Sequence, residues 1–148
     1  MSEKLITENR KARFNYHIEE TLEAGVVLKG SEVKSCREGK MNLSDAYGAF
    51  QGDELYLMNA HINEYSHGNR FNHEPRARRK LLLHRKELSK WFGAWTGGKT
   101  IVALKAYLKG GRVKVLLGLG KGKKIHDKRQ DLKKKQADRE ISRELRSR

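Results

Sequence analysis

The segment from residue 121 to residue 148 places the strongest constraint on the fold, because it is too polar to build a core. It holds twelve Lys and Arg against five Asp and Glu, and so carries +7 of the chain's formal net charge of +15. Its apolar residues are few: Ile125, Leu132, Ala137, Ile141 and Leu145. So little apolar surface cannot offset the roughly 1–2 kcal/mol per residue that backbone ordering costs. We therefore expect residues 121–148 to form a basic tail that is disordered when free and is ordered by a polyanionic partner.

The preceding residues, 1–120, are enough for one domain with a modest core. With +7 on the tail, +8 of the total +15 remains on this domain. Positive charge on both parts indicates nucleic-acid binding, in which Lys and Arg neutralise phosphates and release counterions. An ordinary basic protein and a membrane-surface binder are the alternatives.

The chain has a single cysteine, Cys36, which excludes an internal disulfide and a cysteine-based zinc site. A lone cysteine also indicates a reducing compartment. The first residues contain no apolar run typical of a signal peptide, and no stretch is long enough for a membrane span. We expect a cytoplasmic protein, monomeric and without contact to a membrane.

Apolar alternation and turn residues predict a mainly β fold. Residues 1–8 are interpreted as a polar leader and 63–79 as a polar loop. Strands are predicted at 16–24, 26–29, 46–50, 54–58, 100–108 and 112–119, and helices at 9–14, 32–38 and 84–95. Short strands usually close into a barrel, which removes their unpaired edges. The prediction is a small antiparallel OB-like β-barrel of six to seven strands with two or three short helices in residues 1–120.

One motif suggests an NTPase, since Gly93–Thr100 matches the P-loop pattern G-x-x-x-x-G-K-[ST]. That chemistry needs a buried strand before the loop and a helix after it. Here an amphipathic helix is predicted before the loop and an apolar strand after it. We interpret the match as accidental.

Four histidines lie between the middle strands and the first residue of the third helix, but their spacing fits no metal-ligand or catalytic pattern. They are interpreted as solvated or RNA-facing: His61, His67, His73 and His84. We predict no catalytic residue, no metal and no cofactor.

A basic run with one acid, Glu87, favours a phosphate-contacting patch over a solvated helix face. Its members are Arg76, Arg78, Arg79, Lys80, Arg85, Lys86 and Lys90. The aromatic residues Trp91, Phe92 and Trp95 have helical spacing and are assigned to the core. Glu32 lies among cations. It either accepts hydrogen bonds from a base edge, or orients a basic neighbour, or pairs within its own helix.

Several blocks of the sequence together resemble the small protein B (SmpB) family, the SsrA-binding proteins of bacterial trans-translation. They run in family order from residue 9 to about 135, and Ser31 departs from the Trp or Thr expected there. The matching blocks are 9–13, 18–20, 23–25, 30–35, 39–40, 42–45, 79–83 and 121–129.

The resemblance implies an RNA-binding adaptor with no enzymatic activity. Such a protein binds the tRNA-like domain of transfer-messenger RNA (tmRNA) and promotes its alanyl charging. With elongation factor Tu bound through the charged RNA, it enters the vacant A site of a stalled ribosome. The tail is expected to fold as a helix in the empty mRNA channel, next to the small-subunit RNA of the decoding centre, so that the incomplete peptide is tagged and released.

The resemblance also implies which residues carry these roles. Contact with the tRNA-like domain is expected from Asn9, Lys11, Arg13, Glu32, Lys34, Ser35, Lys40, Asn42, Arg76, Arg78, Arg79 and Lys80. Ribosome binding by the tail is expected from Lys121, Lys123, Lys124, His126, Asp127, Lys128, Arg129, Lys133 and Lys134. His126 is expected to stack on a decoding-centre base.

Two other hypotheses remain open at this stage. One is a general OB-fold RNA binder with a basic tail, which has no preference for a tRNA-like RNA. The other is an enzyme, either a P-loop NTPase dependent on Lys99 or a nuclease that uses Glu32 with a histidine.

Overall fold

The computed structural model describes residues 3–66 and 72–146. Within them the strands are β1 (Glu3–Glu8), β2 (Tyr16–Val26), β3 (Met41–Asn42), β4 (Tyr47–Gln51), β5 (Glu54–Met58), β6 (His61–Ile62), β7 (Arg79–Leu82), β8 (Thr100–Lys109) and β9 (Arg112–Gly122). The helices are α1 (Arg10–Asn15), α2 (Gly30–Arg37), α3 (Arg85–Thr96) and α4 (Ile125–Arg146).

Six strands form an antiparallel ring, in the order β8-β4-β5-β7-β2-β9 and back to β8. The ring is a partly open, OB-like barrel, because β4–β8, β5–β7 and β2–β7 each join through only two residue pairs. The long pairings are those of β9 with β2 and with β8. The prediction of a mainly β, OB-like barrel is confirmed.

Apolar side chains alternate along the strands and fill the barrel. The core includes Leu55, Leu57, Ile101, Val115 and Leu117, all fully buried. A smaller cluster on the outside of β8 and β9 is covered by α1 through Ala12. Both clusters follow from the period of two that places every second strand residue on one face.

The first residues are not a polar leader: Glu3–Glu8 forms β1, which pairs with β8 from Glu3↔Lys109 to Glu8↔Lys105. Its residues are mostly polar because it is an edge strand, and Ile6 alone packs against the core. The separate strand predicted at 26–29 is also wrong. Val26 ends β2, and the backbone N–H of Lys29 donates to Glu32 Oε1 at 2.8 Å at the start of α2.

The two predicted hairpins are confirmed. Gly52 turns β4 into β5 with φ of 66°, and Gly110 and Gly111 turn β8 into β9 with φ of 59° and 77°. These left-handed values favour glycine because it has no Cβ. The two-residue strand β6 ends just before the predicted polar loop, and β7 begins at the loop's last residue, Arg79. Residues 67–71 of the loop lie outside the described part of the chain.

Helix α3 buries Trp91 completely, as its apolar spacing predicts. Phe92 is less buried than predicted, at 41% exposed. Its ring meets Phe50 edge-on at 5.2 Å between centroids, and Trp95 lies 5.5 Å from Phe50. The three rings therefore hold α3 against the barrel while one face of Phe92 stays open to solvent.

Residues Ile125–Arg146 form α4, so the tail has the helical form that the resemblance implies for its bound state, and its disorder when free stays a prediction. Two contacts of Lys123 lie at the start of α4: its N–H donates to the Asn15 carbonyl, at the end of α1, at 2.7 Å, and its ammonium pairs with Asp131 of α4. Strand β9 also runs to Gly122, two residues into the segment assigned to the tail. As the composition of the tail predicts, α4 buries little apolar surface. Four of its apolar side chains are exposed: Ile125, Leu132, Ile141 and Leu145.

Candidate RNA-binding surfaces

Two residues predicted to contact RNA form an ion pair inside the protein. Nε of Arg79 donates to Oε2 of Glu32, and each residue is only 3% exposed. The other guanidinium nitrogens of Arg79 donate to the carbonyls of Ala60 at 2.7 Å, Glu74 at 3.2 Å and Pro75 at 3.0 Å. Placing Glu32 and Arg79 on the RNA-contacting surface needs correction, because the protein itself satisfies their charges and their N–H groups.

The predicted RNA contacts of Asn9 and Ser35 need correction for the same reason. The Asn9 amide donates to the carbonyls of Leu43 at 2.9 Å and Ala103 at 3.0 Å, and the Ser35 hydroxyl donates to the Asn63 carbonyl at 2.7 Å. Both residues are buried. Their polarity serves the fold, where each pins a loop to a strand or helix.

A polar pocket does lie at the surface, on the two-stranded sheet of β3 and β6. Asn42 pairs directly with His61 and Met41 with Ile62, so the apolar pair faces the core and the polar pair faces outward. The cavity has a volume of about 360 Å³ and is lined by Asn42, Ser44, Asp45, Asn59, His61, Asn63 and Arg76. We call it the polar pocket.

Backbone geometry holds the walls of the polar pocket. Asn59 has a left-handed φ of 62°, a conformation that Asn tolerates better than most residues, and its Oδ1 accepts from Arg76 Nη1 at 3.0 Å. Asn42 Oδ1 accepts the N–H of Ser44 at 2.8 Å in a tight turn. The turn occupies the Asn42 oxygen, and no hydrogen bond within residues 3–66 and 72–146 engages its amide nitrogen, which can therefore donate to a ligand.

Basic residues lie around this region. The C-terminal half of α2 and the residues that follow it supply Lys34, whose ammonium lies 5.4 Å from the Tyr65 ring centre, and Lys40, whose carbonyl accepts from the Asn63 N–H at 3.1 Å. On the barrel wall the Arg78 guanidinium lies 4.5 Å over the Tyr56 ring, and Lys80 pairs with Glu54 at 2.9 Å. The hydrogen bond from Lys80 lowers the pKa of Glu54. Four of the predicted cations are thus exposed or half-exposed and held by neighbours.

A second surface was not predicted. Gly25 of β2 pairs with Leu82 of β7 on one side and Lys114 of β9 on the other, so the three residues share one outer face. Leu82 is 51% exposed and Val27 52%. A Cβ added at Gly25 would lie 3.6 Å from the Lys114 Nζ, an ordinary contact distance, so the lysine head lies close to the strand at this glycine. We call Val27, Gly25, Leu82 and Lys114 the Leu82 patch.

The Leu82 patch continues into a groove of about 500 Å³ beside α3, to which Lys80, Leu83, Arg85 and Phe92 contribute. Glu23 lies two residues before Gly25 on the same face of β2 and accepts the Tyr107 hydroxyl hydrogen bond, which lowers the pKa of Glu23. Exposed apolar side chains among cations are typical of surfaces on which unpaired bases stack. The run Leu81-Leu82-Leu83 contains this signal, but a short apolar run does not show which leucine faces outward.

The third surface surrounds the start of α4. Nε2 of His17 lies 3.1 Å from Oδ2 of Asp127, and this contact, with the backbone N–H of Lys124, lowers the pKa of Asp127. The ammonium groups of Lys128 and Lys135 lie 5.8 and 5.9 Å from the Phe14 ring centre. The predicted tail residues Lys121, Lys124, His126, Arg129, Lys133 and Lys134 are exposed, and Lys123 is half-buried.

Two residues assigned to the tRNA-like domain, Lys11 and Arg13, lie on α1, next to this third surface. Arg13 lines one cavity with His17 and Lys123 and another with Lys135. The predicted contact residues therefore do not form one surface: Lys34, Lys40, Asn42 and Arg76 gather around the polar pocket, Arg78 and Lys80 lie on the barrel wall, and Lys11 and Arg13 lie near the tail.

The P-loop match lacks the geometry that binds phosphate. Gly93–Thr96 belongs to the end of α3, strand β8 begins at Thr100, and Lys99 pairs with Glu19. Of the histidines, His73 is buried between the Ser31 hydroxyl at 2.8 Å and the Ile62 carbonyl at 2.9 Å, so its interpretation as solvated or RNA-facing was wrong. His61 lines the polar pocket, His84 precedes α3, and His67 lies outside the described residues.

In residues 3–66 and 72–146 no helix has the length and apolar character of a membrane span. In the same ranges no three His, Cys, Asp or Glu side chains are grouped as metal ligands.

The family model described as SmpB protein matches residues 6–147. The SsrA-binding protein of Bacillus pumilus (strain SAFR-032) is 54% identical over 146 residues, which are 98% of this chain and 94% of that one. The SsrA-binding protein of Carboxydothermus hydrogenoformans is 53% identical over 147 residues, 99% of each chain. A chain from a solved structure described as "tmRNA-SmpB: a journey to the center of the bacterial ribosome" is 49% identical. It superposes with a TM-score of 0.67 over 80% of this chain and 85% of that chain.

Proposed function

The chain belongs to the SmpB protein family, and we propose that it is a tmRNA-binding adaptor that rescues stalled ribosomes. The observation that carries this proposal is the match over nearly the whole chain to SsrA-binding proteins, together with the likeness to a chain solved in a tmRNA–SmpB structure. The distribution of charge and of polar groups over three separate surfaces agrees with an adaptor that contacts more than one RNA element.

The tRNA-like domain is held by the polar pocket and the Leu82 patch. Amide and carboxylate groups in the pocket suit base edges, and Leu82 offers an apolar face on which an unpaired base can stack. Lys34, Lys40, Arg78 and Lys80 contact phosphates around them. Glu32, Arg79, Ser35 and Asn9 support these surfaces from inside the protein.

The protein promotes alanyl charging of tmRNA without catalysing any reaction itself. Binding one folded form of the tRNA-like domain favours that form by mass action, so more of the RNA presents its acceptor arm in the shape that the charging enzyme needs. The protein then accompanies the charged RNA, with elongation factor Tu, into the vacant A site.

The tail detects whether the mRNA channel of the ribosome is empty. Helix α4 has an exposed charged surface along its length, so it can lie in a channel walled by ribosomal RNA, from which an intact message would exclude it. His126 is exposed and available to stack on a decoding-centre base. Asp127, Lys128 and Arg129 anchor the first turns of the helix to ribosomal RNA.

The first test compares binding of the purified full chain to three RNAs at near-physiological salt. These are the tRNA-like domain of tmRNA, an elongator tRNA and an RNA duplex of equal charge. The adaptor function predicts a preference of a hundredfold or more for the tRNA-like domain, because shape recognition and base contacts add to the binding free energy of the phosphate contacts. Equal binding to all three would leave only a general basic RNA binder.

The second test removes the tail without damaging the barrel. Strand β9 pairs with β2 as far as Tyr16↔Gly122, so the truncation is placed after Lys124 rather than at Lys121. The truncated chain should keep most of its affinity for the tRNA-like domain and lose tagging of stalled peptides in a translation assay. A uniform loss of affinity for every RNA would reduce the tail to an electrostatic anchor.

A further inference from the structure

We infer that the polar pocket binds one unstacked guanine base of the RNA. The inference rests on the proposed function and specifies the ligand of one of its surfaces. The cavity of about 360 Å³ falls within the range of roughly 300–1,000 Å³ typical of small-ligand pockets. Its lining is almost wholly polar, which suits the edge of a base rather than an apolar ligand.

Arg76 supplies donors that match one edge of guanine. Its Nη1 is fixed on Asn59, at 3.0 Å from the side-chain oxygen and 3.5 Å from the carbonyl. No hydrogen bond within residues 3–66 and 72–146 engages its Nε or Nη2. A guanidinium with two such free donors pairs with O6 and N7 of guanine, the commonest specific contact between Arg and a base.

Asp45 supplies the acceptor that matches the adjoining Watson–Crick edge. Its carboxylate is exposed at the pocket and has no hydrogen bond or ion pair with any residue that the structure describes. A carboxylate accepts from two adjacent N–H groups, and guanine offers such a pair at N1 and N2. Adenine presents an acceptor at N1, and a phosphate would be repelled by the same carboxylate.

The remaining groups hold the base in place. Asn42 has its oxygen engaged by Ser44, so its amide nitrogen points a donor toward the ligand, and the half-buried His61 directly opposite offers a ring for stacking. The left-handed backbone at Asn59 positions Arg76 before the ligand arrives. The pocket is therefore preorganised, which lowers the cost of binding.

The test exploits the sign of the charge change. Asp45→Asn and Asp138→Asn each raise the net charge by one, and Asp138 is exposed on α4 away from the proposed contacts with the tRNA-like domain. Phosphate attraction alone predicts equal or tighter binding for both variants. The guanine pocket predicts that Asp45→Asn weakens binding to the tRNA-like domain at least tenfold, whereas Asp138→Asn does not.

Equal affinities for the two variants and the wild type would overturn the pocket while leaving the adaptor function intact. Loss of the wild-type preference for the tRNA-like domain would instead overturn the function, so the two failures are distinguishable. Both variants change an exposed side chain, and unchanged thermal melting confirms that folding is not the cause.

A second measurement uses nucleotides as probes on the full-length protein. The side-chain amide signals of Asn42 and Asn63 are followed by NMR during titration with GMP, IMP and AMP. GMP should give saturable shifts, IMP a dissociation constant at least fivefold higher because it lacks the 2-amino group, and AMP no saturation. The same response to all three would show that phosphate or ribose drives the effect, and would overturn the inference.

Discussion

Arg79 and Glu32 neutralise one another in the interior, although 47 residues separate them along the chain. The pair joins β7 to α2, and the further bonds of Arg79 to three carbonyls hold the segment around Glu74 and Pro75 against the same helix. The polar pocket and the Leu82 patch flank this joint. Two ionised residues thus set the relative position of the surfaces that we assign to RNA.

Removing one partner of this pair should be costly. Arg79→Met leaves the Glu32 carboxylate buried without its cation, and such losses destabilise by about 3–5 kcal/mol. Urea denaturation followed by circular dichroism measures the change. The matched variant Arg78→Met, which removes an exposed guanidinium, should cost less than about 1 kcal/mol. Similar values for the two would mean that the buried pair does not stabilise the fold.

Gly120 should not tolerate a side chain. A Cβ there would lie 1.9 Å from the carbonyl oxygen of His17, which is backbone and cannot move aside without opening β2 from β9. Gly120→Ala should therefore lower the free energy of unfolding by about 3 kcal/mol or more, or prevent folding.

Gly93 is the control for that substitution. It lies in α3 with nothing within 4 Å of an added Cβ, so Gly93→Ala should stabilise by up to about 1 kcal/mol through helix propensity. Thermal melting of both variants checks the pair. A stable Gly120→Ala protein would show that β2 and β9 lie farther apart in solution than in this structure.

Docking of the tail on the barrel should weaken in acid. The hydrogen bond from His17, followed by that from the Lys124 N–H, lowers the pKa of Asp127 below its ordinary value of 3.8. A lowered pKa means that the contact stabilises the docked form fully above pH 3.8 and is lost as the pH falls through the depressed pKa. Carboxyl ¹³C NMR measures this titration directly.

His17→Ala should move the pKa of Asp127 back toward 3.8, because the largest cause of its depression is removed. His61→Ala, a change in β6, should leave it where it is. An unaltered Asp127 titration in the His17 variant would show that α4 does not rest on β2 in solution.

The Leu82 patch should contribute affinity and not stability. Leu82→Ser removes an exposed apolar surface, and loss of a base-stacking contact costs about 1–3 kcal/mol of binding, or roughly 5- to 150-fold in the dissociation constant. Leu5→Ser, at a leucine of β1 with 55% exposure, is the matched control and should bind normally. Both variants should melt within a few degrees of wild type. Full affinity of Leu82→Ser for the tRNA-like domain would remove the patch from the interface.

Periodicity and turn residues were enough to predict most of the barrel, since Val113, Val115 and Leu117 alternate plainly and Gly110-Gly111 marks its hairpin. Strand β1 was missed because an edge strand need bury only one side chain, here Ile6, and its polar residues hide the pattern. The contacts at the start of α4 could not be predicted, because Lys123 and Asp127 meet Asn15 and His17, which are remote in sequence.

The sequence predicted the types of residue at the candidate site better than it predicted which residues face the RNA. The residue types typical of RNA contact are present, but sequence cannot tell whether a polar side chain is satisfied by the protein, as Glu32 is by Arg79, or is left for a ligand, as Asp45 is. Leu82 was not predicted, because it stands among three consecutive leucines and only the strand register shows which of them faces outward.

The length of β9 also has a consequence for assembly. One uninterrupted strand carries Lys114 of the Leu82 patch near its start and ends at Gly122, where the tail begins. At about 3.4 Å per residue, these points are held about 27 Å apart. In the adaptor that we propose, strand β9 is therefore a spacer of fixed length between the RNA-binding surface of the barrel and the tail that would enter the ribosomal channel. An insertion or deletion in this strand would put one contact out of reach while the other was made, even if both surfaces stayed intact.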